Sequence, residues 1–339
     1  MKEPSVAIVI LNWNGQNFLE QFLPSVFNSP YPNLQIVMGD NASTDDSIVY
    51  LKNNFPLVKI IENDQNYGFA EGYNRVLEQV TADYFILLNS DVEVTPGWIK
   101  PVIDLMESDE EIAIAQPKIK SMFNRDYFEY AGAAGGYLDY LGYPFSRGRI
   151  FDTVEKDQDQ YNDSREIFWA SGCALFIKSA IWKRLKGFDV RFFAHMEEID
   201  LCWRVKNLGY KVMYCGDSAV YHVGGGTLNP ESSFKTFLNF RNNHYLLKKN
   251  LHPAKARWVI PYRFCLDFLA LIKFALTGKF KNAAAISKAH RHVVKALWNK
   301  EMVFDQDVSD HPNITGFYSK SIVFDYYFLR KKVFSKLKI

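Results

Sequence analysis

Four apolar runs, VAIVILNW (6–13), LQIVMGD (34–40), VKIIEN (58–63) and DYFILLNSD (83–91), alternate with segments of helical spacing such as FLEQFLPSVFN and GFAEGYNRVLEQV. Three of the runs are near-continuous in Val, Ile and Leu, as strands covered on both faces should be. Strand–helix alternation of this kind means an α/β fold with a mainly parallel sheet. In such sheets ligands sit outside the carboxyl ends of the strands. Here those ends carry the polar clusters 12–15, 40–46, 63–68 and 89–91, so four strand ends converge on one crevice.

A nucleotide is the natural occupant to test first. The dinucleotide fingerprint GxGxxG is absent after the first strand, where LNWNGQN offers Gly15 alone, and no P-loop GxxxxGK[ST] occurs. A phosphate in this crevice therefore calls for a divalent cation held by carboxylates. Asp91, closing the fourth strand, is the candidate ligand, although an Asp there could equally cap a turn.

A second acidic feature lies downstream in HMEEIDLCWR, 195–204. Carboxylates favour the first turn of a helix, each contributing roughly 0.3 to 1 kcal/mol against the macrodipole. Leu201, Val205 and Leu208 form one apolar stripe, and Asp200 can pair with Arg204 at i, i+4. Helix chemistry thus accounts for Asp200, but it leaves two adjacent glutamates, Glu197 and Glu198, that repel each other.

Taken in order, VAIVILNWNG, VMGDNASTDDS, NYGFAEGYN, LLNSD, SGCALF and KGFDVRFFAHMEEIDLCWR resemble the family 2 glycosyltransferases over residues 5 to about 227. The last block looks most like bacterial rhamnosyltransferase-type members that build cell-surface polysaccharide. The resemblance implies a GT-A-type Rossmann-like α/β domain and a nucleoside diphosphate sugar donor, dTDP or UDP foremost. It places Asp40 on the base or ribose, with Asn12, Trp13 and Asn41 in the same pocket; Asp40, Asn41 and Ser43 could instead simply form an Asx turn. Gly68 and Gly72 would admit backbone to the ribose and phosphates, and Asn74 would form a polar wall.

The family's metal motif is Asp-x-Asp, whereas this chain has Asn89-Ser90-Asp91. The resemblance leaves Asp91 as ligand, with Asn89 on the donor and His222 of YHVGGGT as a second ligand. Mg²⁺ needs only one or two protein ligands beside a diphosphate, and a histidine suits Mn²⁺ better. In relatives the second acid of the downstream block is the general base, which is Glu198 here. Glu197 remains the competing base, and Glu197 and Asp200 are the expected acceptor contacts. No Ser-His-Asp or Cys-His constellation is evident, consistent with one-step inversion. A silent nucleotide-sugar-binding relative and a nucleotidyltransferase remain as alternatives; the latter normally carries a basic glycine-rich loop where 12–17 has no Lys or Arg. Processive members show QxxRW, and ARW at 256–258 lacks the Gln, favouring single addition.

Charge divides the chain. Between Phe234 and Lys300 there are 14 Lys or Arg and one acid, Asp267, a net +13 in a chain whose total is +2. The expected organisation is a catalytic domain over 1–233, with a nucleotide half to about 115 and an acceptor half from 116, followed by a basic helical annex over 234–339. Its apolar stretches are interrupted by Asp267 and Lys273, which argues against a spanning helix and for an amphipathic helix lying on an anionic membrane surface; a solvated helical cap is the plain alternative. No nucleic-acid recognition motif is present. The polar stretch 135–166 reads as a hairpin and a mobile loop beside the acceptor, or as an insertion without function. The apolar run starts within five residues of Met1, so no secretion leader is expected, and the four cysteines include no CxxC pair. The expected location is cytoplasmic, at the inner face of the plasma membrane, beside a glycan or lipid-linked acceptor.

Overall fold

The computed structural model describes residues 3–224, 232–304 and 314–339. Elements follow in the order β1 (Val6–Asn12), α1 (Gln16–Phe27), β2 (Leu34–Asp40), α2 (Ser47–Asn54), β3 (Lys59–Glu62), α3 (Gly68–Leu77) and β4 (Tyr84–Leu88). Next come β5 (Val92–Val94), α4 (Ile99–Glu107), β6 (Ile112–Ser121), β7 (Gly136–Asp139), β8 (Pro144–Ser146), β9 (Arg149–Ile150), β10 (Thr153–Val154) and β11 (Arg165–Glu166). The remainder is β12 (Ala174–Lys178), α5 (Ser179–Arg184), α6 (Glu197–Asn207), β13 (Lys211–His222), α7 (Ser233–Asn250), α8 (Pro253–Leu276), α9 (Phe280–Trp298), β14 (Phe317–Tyr318) and α10 (Ile322–Tyr327).

The main sheet has the order β11-β13-β6-β12-β4-β1-β2-β3, with β5 added against β13. β1, β2, β3 and β4 are mutually parallel, and β12 enters antiparallel between β4 and β6, making the sheet mixed. The burial of β1 and β4 explains their unbroken Val-Ile-Leu composition, since apolar clusters cover both faces. Register brings Asn12 opposite Asp40 and Asp40 opposite Glu62, so the polar strand ends line one edge as expected.

The stretch 135–166 differs from the expectation of a hairpin with a mobile loop. Its hairpin is real, β7 against β8, but it belongs to a second sheet ordered β10-β9-β8-β7-β14. Tyr137, Leu138, Phe145 and Ile150 are buried, and β14 arrives from the far end of the chain to pair parallel with β7. Buried Phe334 packs on Tyr137 and Phe145. Only the approach of residues 317–337 completes this core, which a local reading of polar and glycine content could not anticipate.

Candidate active site

The donor side of the crevice is a network of strand-end amides and carboxylates. Asp40 is buried; it accepts from Asn12 Nδ2 at 3.1 Å, from the Ser43 backbone N–H at 2.8 Å and from Ser43 Oγ at 2.6 Å. The Asx turn is thus present, and it fixes the Asp40 carboxylate at the crevice floor. Asn41 spans the next gap, donating to the Gly68 carbonyl at 2.9 Å and accepting from Asn63 Nδ2 at 2.8 Å. Trp13 is 46 % exposed, an open ring beside this floor.

Asn74, Gly68 and Gly72, expected on the donor side, have packing duties. Asn74 clasps the Phe188 backbone with both ends of its amide, at 2.8 and 2.9 Å, so it locks α3 to the segment before α6 rather than lining the pocket. Gly68 has φ +74°, and a Cβ there would fall 2.5 Å from the Phe193 ring. Its glycine is required by this close packing. Gly72 likewise leaves room for Asn41 Nδ2, 2.8 Å from where a Cβ would stand.

The pairing of His222 with Val92 across β13 and β5 brings the two expected metal ligands together. His222 Nε2 lies 3.2 Å from Asp91 Oδ1, while Nδ1 faces Glu129 Oε2 at 3.3 Å, and all three side chains are buried. Asn89 Nδ2 is 3.4 Å from the same Nε2. Asp91 Oδ1 and His222 Nε2 stand close enough to share a divalent cation, and Glu129 faces the opposite ring nitrogen, where a carboxylate commonly orients a ligating histidine. Burial disfavours an imidazolium, but Cys173, Asp91 and Glu129 push His222 well above its ordinary 6.5 while no cation is bound; a cation on Nε2 would displace that proton. Burial keeps the Cys173 thiol neutral, so the two carboxylates carry that effect. Sequence reasoning misses Glu129, because FEYAGAAGG offers no motif. Of the glycine run beside His222, Gly225 and Gly226 lie outside the described residues.

The acidic block begins α6 as expected, but through an unusual approach. Phe193, His195 and Met196 all have positive φ, at 65°, 68° and 75°, and the Ala194 N–H reaches the Phe192 carbonyl at 2.8 Å across Phe193, a strained γ-turn. Such a turn persists only when its surroundings impose it. Asn242 of α7 does so, its Nδ2 lying 2.9, 2.8 and 2.7 Å from the carbonyls of Phe192, Ala194 and His195.

At the start of α6 the three acids separate. Asp200, an expected acceptor contact, is instead fully buried and accepts from Arg204 Nε at 2.8 Å, Lys249 Nζ at 2.9 Å and Asn250 Nδ2 at 2.9 Å. Its oxygens bind the helix to α7. Glu197 Oε2 and Glu198 Oε2 are by contrast buried atoms without a hydrogen-bond partner. Burial, and then repulsion from Glu198 and Asp200, pushes the Glu197 carboxyl well above its ordinary range. Burial pushes half-buried Glu198 up to about 7, against the N–H groups of the helix start that favour its charge. Both carboxyls are thus pushed toward their protonated forms, Glu198 to about 7, a placement suited to acid–base work. Gly172 packs beneath Glu198, its Cβ position 3.9 Å from that of Glu198, and the adjacent Cys173 interacts with His222. The titrating carboxyl and the Asp91–His222 pair thus flank the SGC loop.

A second His and carboxylate cluster sits in the annex. Asp267 Oδ2 lies 2.9 Å from His244 Nε2 and 3.3 Å from His290 Nε2, and the three side chains could converge on one ion. Its other oxygen faces buried Arg263 at 3.4 Å. That guanidinium already supplies the counter-charge, making the cluster a hub that joins α7, α8 and α9.

The crevice of this mixed α/β sheet gathers a carboxylate turn, an Asp–His pair and an acid pair at the start of α6, and residues 5–185 match Glycosyl transferase family 2. The chain belongs to this family and is a glycosyltransferase. It is 25 % identical over 233 residues to the N-acetylglucosaminyl-diphospho-decaprenol L-rhamnosyltransferase of Mycobacterium tuberculosis, covering 63 % of this chain and 75 % of that one. The O-antigen biosynthesis protein RfbC of Myxococcus xanthus is 22 % identical over 223 residues, covering 65 % of this chain and 17 % of RfbC. Among solved structures, Staphylococcus aureus TarS 1–349 in complex with UDP-GlcNAc superposes with TM-score 0.57 at 14 % identity, covering 86 % of this chain and 81 % of that one. The mannosyltransferase PcManGT from Pyrobaculum calidifontis, in complex with GDP-Man and Mn²⁺, gives 0.53 at 14 % identity, covering 89 % and 84 %. These likenesses establish the GT-A fold.

Proposed function

We propose that the chain moves one sugar from a nucleoside diphosphate donor to a hydroxyl of a glycan or lipid-linked acceptor, with inversion at the anomeric carbon. The acceptor oxygen attacks that carbon, the bond to the diphosphate breaks with its electron pair leaving on the diphosphate, and the hydroxyl proton passes to Glu198. The observation that carries this reading is the unpartnered Glu198 carboxylate oxygen at the start of α6, held near neutral titration beside the SGC loop. A base poised there contributes typically 10² to 10⁴-fold. Glu197, pushed toward its protonated form by burial, can in that form donate a hydrogen bond to the acceptor and steer it toward Glu198.

Asp40, Asn12, Asn41 and Trp13 bind the nucleoside, and Asn89 reaches the donor from β4. Asp91 and His222 would hold Mn²⁺ or Mg²⁺, and the bound ion would supply positive charge for the departing diphosphate. Neighbours in complex with UDP-GlcNAc or with GDP-Man and Mn²⁺ support this class of donor and metal. The mycobacterial relative, named for a decaprenol-linked substrate, supports a lipid-carried acceptor in cell-surface polysaccharide synthesis and work at the inner face of a membrane. The lack of QxxRW favours single addition.

The test is a screen of dTDP, UDP and GDP sugars for thermal stabilisation with and without Mn²⁺, followed by NMR of the product's anomeric configuration. One donor class should stabilise the chain in a Mn²⁺-dependent way and yield the inverted linkage. Retention of configuration would refute the single-displacement reading.

A further inference from the structure

The long annex helix α8 is apolar on the side facing away from the protein. Its inner face buries Val259, Ile260, Arg263 and Asp267, with Arg263 reaching the Leu141 carbonyl and Asp267 meeting His244 of α7 and His290 of α9. On the outer face Trp258, Tyr262, Leu269, Ile272 and Leu276 follow one another at intervals of four, seven, three and four, a single helical stripe, with Phe268 beside it. These six side chains are 52, 49, 61, 38, 83 and, for Phe268, 56 % exposed. The outer face of a helix on a globular protein normally carries charges.

The patch continues beyond α8. Lys273 Nζ stands 5.6 Å from the Tyr327 ring, which brings α10 alongside, and Phe324 and Phe328 are stacked and exposed there. Exposed cations rim it, Arg257 and Lys273 on α8 and Arg330 and Lys332 beyond α10. Contiguous exposed apolar surface of this kind marks an interaction site.

We infer that this face, the outer stripe of α8 with the adjoining aromatics of α10, seats the chain on an anionic lipid bilayer. The occupant follows from charge as well as apolarity. A second copy packed about a two-fold axis would set the same cations against themselves in a region of net +13. A surface of acidic lipids satisfies both components, with Trp, Tyr and Phe entering the headgroup and acyl boundary and Lys and Arg meeting phosphates. Among the described residues no helix is long and apolar enough to cross a membrane, so the helix lies in the plane of the interface. This deepens the reading of a lipid-carried acceptor, but it is measurable without turnover.

The experiment is co-sedimentation of the full chain with vesicles of phosphatidylglycerol and phosphatidylethanolamine, against vesicles of phosphatidylcholine alone, at low and high NaCl, alongside light scattering. Expected are binding to the anionic vesicles only, falling at least about tenfold at high salt, and a loss of about tenfold or more in the double variant Phe268→Ser/Leu269→Ser. Trp258→Ser serves as an independent second variant, and donor binding should be unchanged in both because α8 takes no part in the donor pocket. Absence of anionic vesicle binding by the intact chain, equal binding by the variants, or a dimer that Phe268→Ser/Leu269→Ser dissociates would overturn the inference. Failure of the donor screen with intact vesicle binding would instead fall on the catalytic reading.

Discussion

Replacing Glu198 by Gln should make the protein more stable while it removes the base, and the gain should grow with pH. Burial places the Glu198 carboxyl at about 7 against an ordinary value of 4.5, with one oxygen unpartnered. A carboxyl whose folded pKa lies above its unfolded value binds more protons folded than unfolded between the two, so stability falls as pH rises through that window. A displacement from 4.5 to about 7 corresponds to about 3 kcal/mol at 1.36 kcal/mol per tenfold. Glu198 keeps some contact with solvent, which screens part of that penalty. A gain of about 2 kcal/mol is therefore expected. Urea unfolding of both proteins at pH 4 and pH 8 measures it: near equality at pH 4, where Glu198 is largely protonated in the folded and the unfolded chain and Gln is its isostere, and an advantage of about 2 kcal/mol for the variant at pH 8. A difference that does not change with pH would refute the claim that this carboxyl is held against its charge.

Asp91→Asn should remove the Mn²⁺ enhancement of nucleoside diphosphate binding by calorimetry, and an undiminished enhancement would take Asp91 out of the site. Glu129→Gln should weaken Mn²⁺ affinity about 10 to 100-fold through the orientation of His222, read by direct metal titration; unchanged affinity would make Glu129 a bystander. Asp200→Asn should cost about 3 kcal/mol in urea unfolding, the low end for a broken buried ion pair because Arg204 and Lys249 keep other acceptors; a loss under about 0.5 kcal/mol would contradict the clamp between α6 and α7. The specificity constant of the free enzyme should rise with pH through about 7 as Glu198 loses its proton, and a flat profile from pH 6 to 8 would count against Glu198.

The strand ends are legible in the sequence because periodicity reports burial directly: a run of Val, Ile and Leu closing on Asn or Asp places that polar residue at the sheet edge whatever follows. Asp91 and His222 can be paired only through the family's register, since their contact depends on β5 adding to β13, a strand of three residues without a signal of its own. Asp200 escapes for a related reason. Its role in helix chemistry is visible four residues away in Arg204, but Lys249 and Asn250, which claim its remaining capacity, lie 49 and 50 residues away. The annex reads as a separate basic region because charge is counted along the chain, whereas Asn242 and Lys249 act across space, one imposing the strained turn before α6 and the other holding Asp200. The second sheet is hidden in the same way: its closing strand comes from beyond residue 313.

Whether Glu198 takes the acceptor proton is tested most directly by the turnover of Glu198→Gln at saturating donor and acceptor, set beside its dissociation constant for the donor. The expected result is turnover slowed by about two orders of magnitude or more, with donor affinity within a few-fold of the parent. Near-normal turnover in a folded Glu198→Gln protein would contradict it and pass the base to Glu197.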